Sequence, residues 1–355
     1  MIDELSLYNF RNIKTARLEF SKSFNVIFGA NGSGKTSIFE AIYFAGFGSS
    51  PFGASISDVI LYGEEKSAVH AKGPLGKLSF NLDKNGSKKV LLDDKKINKM
   101  SDILGIFPQT IIGPQEVQIV IGAPSVRRKT MDMHLCQTNN IYTDALRNYS
   151  NVLSNRNAIL KKPEKLSETL LDAITKELTE AGEVIIKARD KFIDGIKEKS
   201  SMLYNMISDG KLEVFYEPSF RGDAAEFKDA LKSRIKREVR YGNTTLGPHR
   251  DEMAIHIDGK PAKDFASWGQ KRIASIVILI AMSEFIHGER RQKPSILLDD
   301  CFAELDNPRT NKLLEIAPKW GQVFIATPKK INAPSNDAAY FEFESPGIVQ
   351  GVQYA

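Results

Sequence analysis

The chain has 355 residues, 26% of them charged and 42% hydrophobic, an ordinary globular composition with room for two domains or one elaborated domain. Its longest apolar run, Ile273 to Met282, is about half the length of a membrane span, and Met1-Ile2-Asp3-Glu4-Leu5 lacks the basic start and apolar stretch of a secretion signal. These features lead us to expect a cytoplasmic protein with no membrane partner, while the net charge of +5 does not by itself identify a polyanionic one. Cys136 and Cys301 lie far apart without metal-ligand spacing and read as small buried hydrophobes.

In chain order, Leu5-Ser6-Leu7-Tyr8-Asn9-Phe10 alternates as a strand, with Arg17-Leu18-Glu19-Phe20 as its partner. An apolar run, Phe24 to Phe28, then leads into Gly29-Ala30-Asn31-Gly32-Ser33-Gly34-Lys35-Thr36. This is a complete G-x-x-x-x-G-K-[ST] phosphate loop, followed by the helix-compatible Ser37 to Ile42. Glycines let backbone N–H groups close around phosphate oxygens, and the helix start adds its positive dipole end. Lys35 is placed to reach the β- and γ-phosphates, and the Thr36 hydroxyl to ligate Mg²⁺. The reading is an ATP site.

A strand-rich lobe comes next, clearest in Lys77–Leu82 and Lys88–Leu92 around an Asn85-Gly86 turn. From about Asn139 to Arg240 the pattern changes to long helices. Leu171, Ile174, Leu178, Ala181, Ile185, Ala188 and Phe192 recur at heptad-like steps that fail at Gly195 and Lys199, so the seam is too short for a rod. Leu212–Tyr216 and Met253–Ile257 read as strands returning the chain to the head. The organisation expected is therefore an N-terminal head part over 1–138, a helical insertion over 139–240, and a C-terminal head part over 241–355.

The second half of the ATP site lies in that last part. Ser295-Ile296-Leu297-Leu298-Asp299-Asp300 is an apolar strand ending in two acids, the Walker B arrangement. Asp299 can hold Mg²⁺, and Asp300 is placed to orient or deprotonate attacking water. Gly321 to Thr327 is another apolar strand, ending in a residue that senses the γ-phosphate in ATPases of this build. Ser267-Trp268-Gly269-Gln270, just before the apolar helix, resembles the signature motif of ABC-type ATPases. In that superfamily the serine, glycine and helix start face the nucleotide of a partner subunit, so Ser267, Gly269 and Gln270 are expected to act in trans.

Five further segments narrow the resemblance. Asn9-Phe10-Arg11-Asn12 resembles the start of SMC-like and RecF-like heads, whose arginine lies near the nucleotide, which makes Arg11 a candidate contact. Thr244-Thr245-Leu246-Gly247-Pro248-His249-Arg250-Asp251-Glu252 is similar to a stretch characteristic of the RecF family, which also matches Pro114 to Asp132, Tyr149 to Asn157 and Leu298 to Asp306. Departures include Gln115, where the family usually has Glu, and Thr130, where it usually has an aromatic.

The resemblance implies an α/β fold, an ABC-type P-loop ATPase head of mixed sheets around helices with an inserted helical lobe. It also implies a protein that binds ATP with Mg²⁺, dimerises on it, and engages double-stranded or gapped DNA. Such proteins assist RecR and RecO in loading recombinase during repair, replication restart and SOS induction, are cytoplasmic and nucleoid-associated, and hydrolyse ATP slowly as a switch. Asp300 and Lys35 would carry that hydrolysis.

Candidate DNA contacts are Arg127-Arg128-Lys129, then Lys232 with Arg234, Lys236, Arg237 and Arg240, and the hairpin Lys88-Lys89. Each is equally readable as a solvated face. Rival readings are the ATP-driving subunit of a transporter, whose heads usually carry histidine where Thr327 stands, and a structural SMC-like protein. The latter needs a far longer coiled coil than roughly a hundred helical residues supply.

Overall fold

Leu5 and Leu7 are buried while Ser6 and Tyr8 between them turn outward, the period of a strand with one wet face. In the computed structural model, which describes residues 1–30, 32–162, 167–301, 305–345 and 348–354, this strand belongs to a six-stranded antiparallel sheet. The order is Ile13–Glu19, Glu4–Phe10, Lys66–Gly73, Gly76–Asp83, Lys88–Leu92 and Lys95–Lys96. The Asn85-Gly86 turn joins its fourth and fifth strands in the register Leu82 to Lys88, with Gly86 at φ +89.

A second sheet of six strands is mixed, in the order Ile348–Tyr354, Ala338–Ser345, Phe24–Gly29, Val323–Thr327, Ser295–Asp299 and Gln109–Ile112. All neighbours are parallel except the antiparallel edge pair at 338–354. Strands covered on both faces read as continuous apolar runs, and Val26, Ile27, Leu297, Leu298, Phe324 and Ile325 are all buried. The helix Lys35–Phe47 contacts strands of both sheets and is apolar on every side, with each residue from Ile38 to Gly46 buried. Mixed sheets around a helix are thus the architecture of the first of two compact units, Met1–Glu116, Met206–Ser208 and Ile276–Ala355.

The second unit comprises Val117–Asn205 and Asp209–Ser275, taking in most of the 139–240 interval with flanks on either side. It holds the helices Pro124–Leu135, Asn140–Leu160, Ala224–Ser233 and Ile235–Tyr241, most of the helix Glu168–Ile207, and a three-stranded sheet of Leu212–Glu217, Glu252–Ile257 and Lys260–Pro261. The helix beginning at Glu168 runs unbroken for 40 residues, past the Gly195 and Lys199 positions where the seam was expected to end. Its buried stripe steps aside by one residue and continues through Ile193, Ile196, Ser200, Leu203 and Tyr204. A shift of stripe, not an end of helix, is what broke the heptad spacing.

Two buried charge networks tie this unit together. Arg189 donates to Asp132 Oδ1 (2.8 Å), Asp251 Oδ2 (3.2 Å) and the Pro248 carbonyl (2.7 Å). Fully buried Asp251 also accepts from the Tyr216 hydroxyl and the Ser219 N–H. Arg156 pairs with Glu238 at 2.7 Å, both almost wholly buried. Arg156 further donates to Thr244 Oγ1, and Glu238 accepts from the Thr245 N–H.

Candidate nucleotide site

The phosphate loop is shaped by two glycines. Gly29 ends its strand at φ +149, and a Cβ there would press on the Phe343 carbonyl of the neighbouring strand. Gly34, at φ +112, caps the helix Lys35–Phe47, whose first N–H groups stay open to an incoming anion. Ser33 is buried, and its hydroxyl has no hydrogen-bond partner among the described residues. Lys35 Nζ donates to the Gly29 and Ala30 carbonyls, both at 2.7 Å. Asn31 lies outside the described residues.

Parallel register brings the remaining polar groups to the same edge of the mixed sheet. Asp299 stands opposite Ala326, and Thr327 opposite Phe28, so three strand ends meet beside the loop, where open α/β sheets bind ligands. The result is a cleft of about 430 Å³ lined by Lys35, Thr36, Asp299, Asp300 and Thr327, together with Asn12. Asp300 is held at φ +48, a left-handed conformation uncommon outside glycine, with its N–H on the Ala326 carbonyl.

Burial, reinforced by the neighbouring Asp300 charge, pushes the Asp299 carboxyl above the usual carboxylate range, while Lys35 pulls it back. Burial likewise lowers Lys35, against the opposing pull of both acids. A crowded acid pair facing a partly desolvated lysine and an unsatisfied serine fits a site for polyphosphate with its divalent cation. Thr36 and Asp299 are the residues that could hold Mg²⁺. Among the described residues no cluster of three or more His, Cys, Asp or Glu could hold a metal unaided. Phe302, Ala303 and Glu304 lie outside the described residues.

Arg11, expected near the nucleotide, does not line the cleft. Its guanidinium clasps buried Glu40 through Nε and Nη2, both at 2.6 Å, and donates Nη1 to the Asp58 carbonyl. The reason is turn geometry: Phe10 pairs with Ile13, so Arg11 and Asn12 are the two residues of a tight hairpin, and Arg11 sits at φ +54. Asn12 takes the place facing the loop. It accepts from Ser37 Oγ at 2.8 Å, and its amide lies 3.2 Å from where a Gly34 Cβ would be. The motif contained the signal for Asn12, but only the hairpin register tells the two neighbours apart.

In the second unit, the Ser267 N–H donates to Gln270 Oε1 (2.9 Å) and the Gln270 N–H to Ser267 Oγ (3.3 Å). This reciprocal box opens the helix Trp268–Arg290 and leaves Ser267 and Trp268 exposed.

Of the candidate DNA contacts, Arg127 is buried, clasping Glu252 twice at 2.6 Å and donating to the Gly122 carbonyl. Its charge is satisfied within the unit, because the helix carrying it packs against the strand Glu252–Ile257. Arg128 is half-buried with Nη1 on the Asp251 carbonyl, and Lys232 pairs with Asp172. Lys88 donates to the Gly48 carbonyl, while Lys89, Lys129, Lys236, Arg237 and Arg240 are exposed and Arg234 is half-buried. No helix among the described residues is long and apolar enough to cross a membrane.

A family model described as the RecF/RecN/SMC N terminal domain matches residues 1–340. The DNA replication and repair protein RecF of Lachnoclostridium phytofermentans is 34% identical over 324 residues, which cover 89% of each chain. A solved structure of the recombination mediator protein RecF with ATP, in the RecFOR pathway, superposes with a TM-score of 0.88 at 31% identity, covering 98% of this chain and 96% of that one. An Smc head bound to the C-winged helix domain of ScpA shares the fold alone, with a TM-score of 0.61 at 17% identity over 99% of this chain and 96% of that one. By sequence over nearly its whole length, and by fold, the chain belongs to the RecF family.

Proposed function

We propose that this protein is an ATP-controlled DNA-binding switch of recombinational repair. The observation that carries the reading is the cleft itself, in which Lys35 and Thr36 meet Asp299, Asp300 and Thr327 from three adjoining strand ends. ATP would enter with its phosphates against the helix start at Gly34, and Lys35 Nζ would exchange two loop carbonyls for β- and γ-phosphate oxygens. Thr36 and Asp299 would hold Mg²⁺, which when bound neutralises developing phosphate charge. Asp300 would orient the attacking water, Thr327 would sense the γ-phosphate, and Asn12 would steady the loop through Ser37.

The switch closes when Ser267, Gly269 and Gln270 of a second copy cover that phosphate. The exposed Ser267 at the start of a 23-residue helix supports this role. Slow, DNA-stimulated hydrolysis then resets an ATP-dependent homodimer. On this reading the 139–240 interval is a helical lobe inserted into the head, DNA is engaged as duplex or gapped substrate, and RecR and RecO are the partners. The test is sedimentation with and without ATP and duplex DNA. ATP should convert monomer to dimer, and DNA should co-sediment with the ATP-bound form. A protein that binds ATP yet stays monomeric under all conditions would remove the switch.

A further inference from the structure

Two helix ends that are distant in sequence meet in the second unit. The helix Asn140–Leu160 ends at Lys161, and the helix Ile235–Tyr241 ends at Gly242. They are pinned together by the buried Arg156–Glu238 pair and by the Thr244 N–H on Asn157 Oδ1 at 2.8 Å. At the junction a Cβ on Gly242 would lie 3.0 Å from the Lys161 side chain.

The surface above this junction is basic. Lys161, Lys162, Lys236, Arg237 and Arg240 are exposed and Arg234 is half-buried. None of these six makes an ion pair among the described residues. The acid of the second helix, Glu238, is turned inward and spent on Arg156, and nearby Asp172 is occupied by Lys228 and Lys232. Tyr241 is 58% exposed, with the Arg237 guanidinium over its ring.

Cations at helix C-termini can serve the helix dipole alone, but that effect reaches only the last turn and one or two charges satisfy it. Six cations without an ion-pair partner among the described residues, carried by this junction and by the two-turn helix that leads into it, exceed that need. Among the described residues, the side chains that this patch exposes are these cations and Tyr241, which is a charged surface and not an apolar one. We propose that this junction, Lys161 and Lys162 together with Arg234, Lys236, Arg237 and Arg240, is the surface on which the phosphate backbone of duplex DNA docks. The proposal rests on the DNA-binding reading above and selects one place for it. Recognition there is by charge and is indifferent to base sequence.

The experiment uses the full chain with ATP and a fluorescent duplex of mixed sequence, with anisotropy read across a salt series. Three variants are compared with wild type: K161Q/K162Q/R237Q, the charge-preserving K161R/K162R, and K88Q/K89Q on the hairpin of the first unit. Each backbone contact contributes about 0.9 to the slope of log affinity on log salt, so the triple variant should lose about 2.7 in slope and at least thirtyfold in affinity at ~0.1 M salt. K161R/K162R should bind like wild type, and all variants should melt and bind ATP as wild type does. Wild-type binding with an unchanged triple variant would overturn the assignment while leaving DNA binding intact, and loss confined to K88Q/K89Q would move the surface there. Unchanged DNA binding with lost retention on polyglutamate resin would reassign the patch to an acidic protein. A wild-type protein that binds no duplex at any salt would overturn the underlying reading as well.

Discussion

Replacing Lys35 by Met removes one charge from the nucleotide cleft while keeping most of the aliphatic stem. Lys35 Nζ is held by two carbonyl oxygens at 2.7 Å, and its pKa is lowered by burial. Bound phosphate would face the ammonium at about 4 Å, where an ion pair at an effective dielectric constant near 20 gains about 4 kcal/mol. Against this stand the two carbonyl bonds given up, whose net contribution is of the order of 0.5–1.5 kcal/mol each. Phosphate carries more than one charge, which restores part of the difference, so the variant should lose about 3 kcal/mol of binding. At 1.4 kcal/mol per tenfold, that is roughly a hundredfold in Kd. Calorimetric titration with ATP reads the loss directly, and a thermal melt without nucleotide should stay within a few degrees of wild type. A Kd within threefold of wild type in a folded variant would refute the assignment of Lys35 to the phosphates.

Ser267→Arg should leave monomer ATP binding unchanged yet abolish the ATP-dependent dimer in sedimentation. Asp300→Asn should instead trap the ATP-bound dimer by slowing hydrolysis, and Asn tolerates the φ of +48 that this position imposes. Arg156→Met should cost about 3–5 kcal/mol in urea unfolding because it strands Glu238 in the interior, and adding Glu238→Leu should recover most of it. A loss below about 1 kcal/mol would show that the pair is not held as described. His134 and His249 are pushed down to about 4 by burial, so the unfolded chain binds more protons than the folded one between pH 6.5 and about 4. Stability should therefore fall as pH drops through that window, by up to roughly 3 kcal/mol per histidine, and His249→Gln should flatten the dependence. A urea midpoint constant from pH 7 to 4.5 would contradict the buried neutral rings.

The legible parts of this protein are those where local chemistry and local structure coincide. A phosphate loop needs its glycines, lysine and threonine within eight consecutive residues, so Gly29 to Thr36 can be read without knowing what lies around them. Asp299 and Thr327 were legible because each ends an apolar run, and a buried parallel strand has that signature. Arg11 and Asn12 were not separable, because the choice between them is made by the hairpin register of Phe10 with Ile13. Arg127 looked like one of three adjacent cations until packing placed Glu252, 125 residues away, within 2.6 Å. The strand Gln109–Ile112 escaped notice because four residues carry no periodicity, and Ala338–Ser345 because its identity depends on pairing with Phe24–Gly29.

The two most diagnostic stretches of the chain therefore perform opposite tasks. Among the described residues the phosphate loop leaves groups unsatisfied: the Ser33 hydroxyl without a partner, helix N–H groups without a side-chain cap at Gly34, and Asp299 above its usual range. The Gly247-Pro248-His249-Arg250-Asp251 stretch, apart from the exposed Arg250 side chain, has its polar groups engaged. The Pro248 carbonyl and Asp251 carboxylate are taken by Arg189, and the Gly247 N–H donates to Ser219 Oγ. The Thr244 carbonyl can only accept, so His249 Nε2 carries the ring proton and Nδ1 accepts from the Tyr149 hydroxyl. A ligand site must retain unmet polar demand, because that demand is what the ligand answers. By that criterion His249 and Asp251 serve packing despite their chemistry, whereas the Arg250 side chain is exposed. Asp251 and the Pro248 carbonyl tie the start of the strand Glu252–Ile257 to the long helix through Arg189, and a motif can mark a family through such packing without touching its nucleotide.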